Sequence, residues 1–167
     1  LSLHDALPIS GKFSLSASMS TSEIIATITD ATKLIHDDIS ITFIEGEWLK
    51  HMAEKFESEM NISSDELLDL WNDEAYIRSL MSEYPFLTED IFNDDSRFLL
   101  EGYLMPNTYA FAKGSDAKTV TEKMLTQTLK VYNEYKDQMT SHDLSVHELF
   151  TLASIVQYEA SKIEDMK

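Results

Sequence analysis

The sequence predicts an α+β fold, and three observations carry that prediction. Short alternating apolar runs at 12–15 and 39–44 give strands, each followed by a stretch of helical spacing. Ser and Glu stand three residues apart at 63/66 and 145/148, the spacing of a capping box before an apolar run. With only 4 Gly and 3 Pro in 167 residues, little of the chain is left for loops.

The elements follow in order. Lys12-Phe13-Ser14-Leu15 alternates as a short strand does. Met19-Ser20-Thr21-Ser22-Glu23 supplies cap residues for a helix bearing Ile24, Ile25 and Ile28. Ile39-Ser40-Ile41-Thr42-Phe43-Ile44 is the clearest strand, because it is β-branched and alternating. Glu45-Gly46-Glu47 ends it, and Trp48, Leu49, Met52, Ala53 and Phe56 mark one face of a helix. Strand–helix–strand–helix describes a small α/β module. Helices headed by Ser63 and spanning about 73–81 follow, until Tyr84-Pro85-Phe86 breaks the pattern. The stretch through Ser96 is acidic and turn-rich. An extended aromatic segment occupies 97–112. Gly114-Ser115-Asp116 then opens a long helix over about 117–139, with Val120, Met124, Leu125, Leu129 and Tyr132 on its apolar face. Ser145 and Glu148 open the last helix, from about Val146 to beyond Ala160.

Composition excludes several functions. A net charge of −17 repels a nucleic-acid backbone and an anionic membrane surface, and it keeps the protein soluble. Without Cys there is no disulfide, thiolate metal site or Cys nucleophile. His36, His51, His142 and His147 lack metal-ligand spacing and read as isolated solvent histidines, so no metal is expected. The chain has neither a Gly-rich phosphate loop nor a Ser nucleophile elbow, and no cofactor is expected. No run approaches the ~20 apolar residues of a membrane span. Residues 1–10 (Leu1-Ser2-Leu3-His4-Asp5-Ala6-Leu7-Pro8-Ile9-Ser10) read as a non-native, adapter-like leader.

Two segments carry candidate chemistry. On the last helix, at about 100° per residue, Leu149, Leu152, Val156, Ala160 and Ile163 share one stripe. Glu159 lies about 60° from the centre of that stripe by the same rotation, at the margin between core and solvent. Gln157 lies farther toward water. A half-buried carboxyl has its pKa raised by desolvation, as a proton donor at neutral pH requires. The plainer alternative is a boundary Glu paired with a Lys or simply hydrated. The second segment is Glu101-Gly102-Tyr103-Leu104-Met105-Pro106-Asn107-Thr108-Tyr109. Tyr103 and Tyr109 suit either stacking on sugar faces or burial in the core. Asn107 and Thr108 suit hydrogen bonds to hydroxyls.

Together with Leu152-Ala153-Ser154-Ile155-Val156-Gln157-Tyr158-Glu159-Ala160, this segment resembles the endolytic murein transglycosylase (MltG/YceG-like) family. The resemblance implies a bacterial enzyme that cuts peptidoglycan between MurNAc and GlcNAc and leaves 1,6-anhydroMurNAc ends. It implies Glu159 as the catalytic acid and base. Glu101, Tyr103, Asn107, Thr108, Tyr109 and Gln157 would line the glycan cleft, Gln157 replacing the acid that many members carry there. The implied organisation is a LysM-like α/β module at 11–60, an acidic helical connector at 61–96, and the first part of a mixed α/β catalytic domain at 97–167. By this reading the membrane anchor and the rest of the cleft are missing, so the chain alone is expected to be weakly active or inactive. The implied location is the extracytoplasmic side of the cell membrane, held by a single-pass anchor absent from this chain. The implied partners are peptidoglycan glycan strands and cell-wall synthesis proteins. Two rivals stand beside this reading: a non-catalytic peptidoglycan-binding or scaffold module, and a hydrolase that pairs Glu159 with Glu101.

Overall fold

The computed structural model describes residues 7–35, 37–93, 97–139, 141 and 143–159. The chain forms two compact units, divided between Asp38 and Ile39.

The first unit is small. β1 (Lys12–Phe13) pairs antiparallel with β2 (Leu34–Ile35), with Lys12 opposite Ile35 and Phe13 opposite Leu34. Between them runs α1 (Thr21–Ile28). Ser20 starts that helix with a complete capping box: its hydroxyl accepts from the Glu23 N–H, and the Glu23 carboxylate accepts from the Ser20 N–H at 2.7 Å. The Ser20 N–H and then the Ser20 hydroxyl, both donating to the Glu23 carboxylate, hold it below its ordinary pKa. The Ile9 N–H donates to the Ile28 carbonyl at 2.8 Å, and Lys12 pairs with Asp37.

The second unit holds the main core. β3 (Asp38–Thr42) and β4 (Thr108–Ala112) form a two-stranded sheet. The helices are α2 (Leu49–Met60), α3 (Ser64–Leu70), α4 (Glu74–Leu80), α5 (Ala117–Met139) and α6 (Val146–Glu159). β4 buries Tyr109 and Phe111 on one face and exposes its alternate residues, as a half-covered strand should. α5 buries Ala117, Val120, Thr121, Met124, Leu125 and Thr128, a stripe of helical period. Trp71, at the end of α3, is fully buried and donates its indole N–H to the Thr121 hydroxyl at 2.8 Å. That bond satisfies a polar atom the core would otherwise strand. α2 ends on Asn61, whose φ of 58° is the left-handed conformation that Asn tolerates better than most side chains.

Two departures from the sequence reading stand out. Residues 39–60, expected in the first module, share a core with the rest of the second unit. Ile41, Phe43, Leu49, Met52 and Phe56 cluster with Leu67, Trp71, Leu100, Phe111 and Leu125. Burial of apolar surface, rather than the end of a helix, sets where the chain divides. The segment expected to be extended over 97–112 is also only half so. Residues 97–104 fold as turns, in which the Glu101 N–H bonds the Phe98 carbonyl and the Tyr103 N–H bonds the Leu100 carbonyl. Gly102, at φ +81°, provides the reversal that an L side chain rarely adopts.

Candidate active site

α6 starts on Ser145, whose hydroxyl accepts from the Glu148 N–H at 3.2 Å while the Glu148 carboxylate accepts from the Ser145 N–H at 2.7 Å. The helix joins the core through its first turns. Val146 and Phe150 pack against the main cluster. The Phe150 ring stacks on Tyr103 with centroids 5.0 Å apart, and on Phe86 at 6.0 Å. His147 stacks against Tyr103 as well, and its Nδ1 lies 2.6 Å from the Tyr103 hydroxyl. His147 is therefore half-buried and bonded, not the isolated solvent histidine its spacing suggested. The signal available in the sequence was its place three residues before Phe150, on the same helix face.

The next turns of the helix stand in solvent. Every side chain from Thr151 to Val156 is exposed, with Leu152 at 48%, Ile155 at 55% and Val156 at 41%. The apolar stripe that was to half-bury Glu159 is thus itself exposed as far as Val156. Ala160 and Ile163 lie outside the described residues. Glu159, in the last described turn, is exposed, and Gln157 is half-buried.

The Glu101–Tyr109 segment divides by depth. Tyr103 and Tyr109 are core residues, 2% and 5% exposed, so of the two uses open to them the structure gives them burial. The Tyr103 carbonyl accepts from the Thr128 hydroxyl at 2.7 Å. The Tyr109 hydroxyl donates to the Met105 carbonyl at 2.7 Å, and burial pushes that phenol well above its ordinary pKa. Asn107 and Thr108 are exposed. The Asn107 carbonyl accepts from the Phe43 N–H at 2.9 Å, and the Thr108 and Thr42 hydroxyls lie 2.9 Å apart. Both residues therefore tie the two strands together while facing water.

Glu101 has a structural employment. Trp48, at the N-cap of α2, provides no side-chain cap. A Glu101 carboxylate oxygen accepts instead from the Leu49 N–H, at 3.3 Å, from 52 residues away. The residue as a whole is exposed, but one carboxylate oxygen lies against the helix end. Desolvation raises its pKa, opposed by the bond from Leu49.

Among the described residues, Glu159 lines neither of two open depressions. One, of about 310 Å³, is lined by Glu66, Asp69, Leu70, Asp73, Asp116, Ala117 and Lys118. The other, of about 390 Å³, is lined by Asp90, Asn93, Ser145, His147 and Glu148. Asp73 and Asp116 in the first are helix caps, accepting from Ala75 and Thr119 N–H groups. Among the described residues no cluster of three His, Asp or Glu side chains is arranged to hold a metal ion, and no helix is long and apolar enough to cross a membrane.

Comparison with known proteins gives this arrangement its context. An endolytic murein transglycosylase of Bacillus subtilis (strain 168) is 31% identical over 157 residues, covering 93% of this chain and 43% of that protein. An endolytic murein transglycosylase of Streptococcus pneumoniae serotype 2 (strain D39 / NCTC 7466) is 29% identical over 167 residues, covering 94% of this chain and 30% of that protein. The crystal structure of a YceG-like protein from Listeria monocytogenes superposes with a TM-score of 0.68 at 28% identity, over 93% of this chain and 51% of that one. The chain thus spans less than half the length of either named transglycosylase. The sequence model of the YceG-like family matches residues 5–167, which takes in part of the expected leader, and the chain belongs to that family.

Proposed function

We propose that this protein is the part of a lytic transglycosylase that carries the acid–base residue, Glu159, and that its substrate is the glycan strand of peptidoglycan. One observation carries the reading: 93% of the chain aligns with a protein named endolytic murein transglycosylase, and the match to the YceG-like family model, over residues 5–167, takes in a helix ending in an accessible carboxyl.

In the proposed reaction the Glu159 carboxyl donates its proton to the oxygen bridging MurNAc and GlcNAc as the C1–O bond breaks. The resulting carboxylate then takes the proton from the MurNAc C6 hydroxyl, whose oxygen bonds to C1. A 1,6-anhydro end forms without water, and one residue suffices because the first step leaves it deprotonated. Asn107 and Thr108, exposed at the start of β4, remain candidates for contact with glycan hydroxyls. Tyr103 and Tyr109 act from within the core. The proposed setting is the extracytoplasmic face of the cell membrane, beside cell-wall synthesis proteins.

The test is Glu159→Gln in the native protein, incubated with purified peptidoglycan. Turnover to anhydro-muropeptides, read by mass spectrometry, should fall by about 10²–10⁴-fold, the usual worth of a positioned acid or base. Wild-type turnover in the variant would remove Glu159 from the chemistry. Reducing ends in place of anhydro ends would point to hydrolysis.

A further inference from the structure

We propose that the outer edge of β4 is a strand-pairing surface for a second copy of this chain, and that Lys123 of α5 holds it shut.

The edge of a sheet is a row of backbone groups able to pair with another strand. Which groups face outward on β4 follows from one bond. The Phe43 N–H donates to the Asn107 carbonyl across the sheet at 2.9 Å, and backbone groups alternate in direction along a strand. The N–H and C=O groups of Thr108, Ala110 and Ala112 therefore face away from β3. Each of these residues has one such group already bonded. The Thr108 N–H donates to Asn107 Oδ1 at 2.7 Å, and the Ala112 carbonyl accepts from the Ser115 hydroxyl at 2.8 Å. At the middle position the Ala110 carbonyl accepts from the Lys123 ammonium. Asn107 and Ser115 flank the strand in sequence, whereas Lys123 reaches in from α5, its Nζ 5.6 Å from the centre of the Phe111 ring. The edge of β3 is treated alike. Lys55 Nζ donates to the Thr42 carbonyl at 3.0 Å, and the Glu47 carboxylate accepts from the Ile44 N–H at 3.1 Å.

Symmetry and charge name the occupant. Thr108-Tyr109-Ala110-Phe111-Ala112 is uncharged, so two copies can meet there although the chain as a whole, at net −17, repels itself. Laid antiparallel about a two-fold axis, β4 puts Ala110 opposite Ala110, and the two residues exchange both N–H···O=C bonds. That pairing needs the carbonyl Lys123 occupies. The ammonium also sets a hydrated charge where the second strand would lie.

Variants of this 167-residue chain test the proposal. Lys123→Ala suits an exposed helix position. Lys123→Met removes the donor and keeps an apolar stem near Phe111. In about 0.15 M NaCl, with repulsion screened beyond about 8 Å, sedimentation should give both variants twice the wild-type mass at a concentration where the wild type is monomeric. Exchange of the Ala110 amide should slow as either variant is concentrated, with α5 amides protected throughout. Adding Ala110→Lys places like charges opposite each other across the two-fold. It should restore the monomer even though it makes the net charge less negative. Monomeric Ala and Met variants, association that leaves the Ala110 amide unprotected, or association that survives Ala110→Lys would each overturn the proposal. So would a wild-type chain whose Ala110 amide slows on concentration, because Lys123 would then not be closing the edge.

Discussion

At the scale of single residues, Glu101 shows how a side chain can be drawn from a proposed site into the framework. Its carboxyl caps α2, and desolvation raises its pKa above the ordinary 4.5. A carboxyl whose pKa is higher folded than unfolded stabilises the fold fully below its unfolded value, and that contribution is lost as pH rises through the folded value. Glu101→Gln never becomes charged, and its amide oxygen can still accept from Leu49. The variant should therefore exceed the wild type in stability at pH 7, and the gap should close below about pH 4.5. Urea unfolding at both pH values checks this, and a less stable variant at pH 7 would show that the charged cap is favourable. Neither this cap nor the His147–Tyr103 bond was legible in the sequence. Their partners are 52 and 44 residues apart, and no local pattern marks such a pair. Glu159 was legible as a candidate through its motif. Its exposure was not, because a helical stripe says which residues share a face but not whether anything covers it.

At the scale of elements, the local rules read well. Ser145 and Glu148 cap α6 reciprocally, as their spacing foretold. α5 runs over Ala117–Met139, as its periodicity and the turn before it foretold. Among the described residues α6 packs on the core mainly through its first turns, so its capping box matters more than that of a helix packed along its whole length. Ser145→Ala should cost about 1 kcal/mol of local stability. Amide exchange confined to the first turns of α6 should register it, and equal exchange in variant and wild type would mean that the contacts of Val146, His147 and Phe150 hold the helix start without the cap. β2 escaped the sequence reading: two residues are too few for an alternation to register. The turns at 97–104 were read as extended because they run into an aromatic motif, with Tyr103 and Tyr109, in which Gly102 and Pro106 argue against a helix. The Gly102 reversal and the packing of Leu100 and Tyr103 override that expectation.

At the scale of the whole molecule, charge is the dominant feature. A net −17 on 167 residues works against compaction through self-repulsion. Raising NaCl from about 0.01 to about 0.15 M shortens the screening length from about 30 to about 8 Å. The melting temperature should then rise by a few degrees in calorimetry. A fall would mean that ion pairs such as Lys55–Glu47 and Arg78–Glu74 outweigh the repulsion. The α+β class and the family were legible at this scale. The division at Asp38 and Ile39 was not, because it depends on which apolar faces meet.

The bare outer length of α6, with Leu152, Ile155 and Val156 facing water, gives that salt response a second side. The same counterions that steady each molecule also weaken the Coulomb barrier keeping neighbours apart, and oily surface is what they then find. The osmotic second virial coefficient should pass from positive to negative as electrolyte is added. Conditions that most favour the folded chain will thus be those in which it is hardest to keep monodisperse at high concentration.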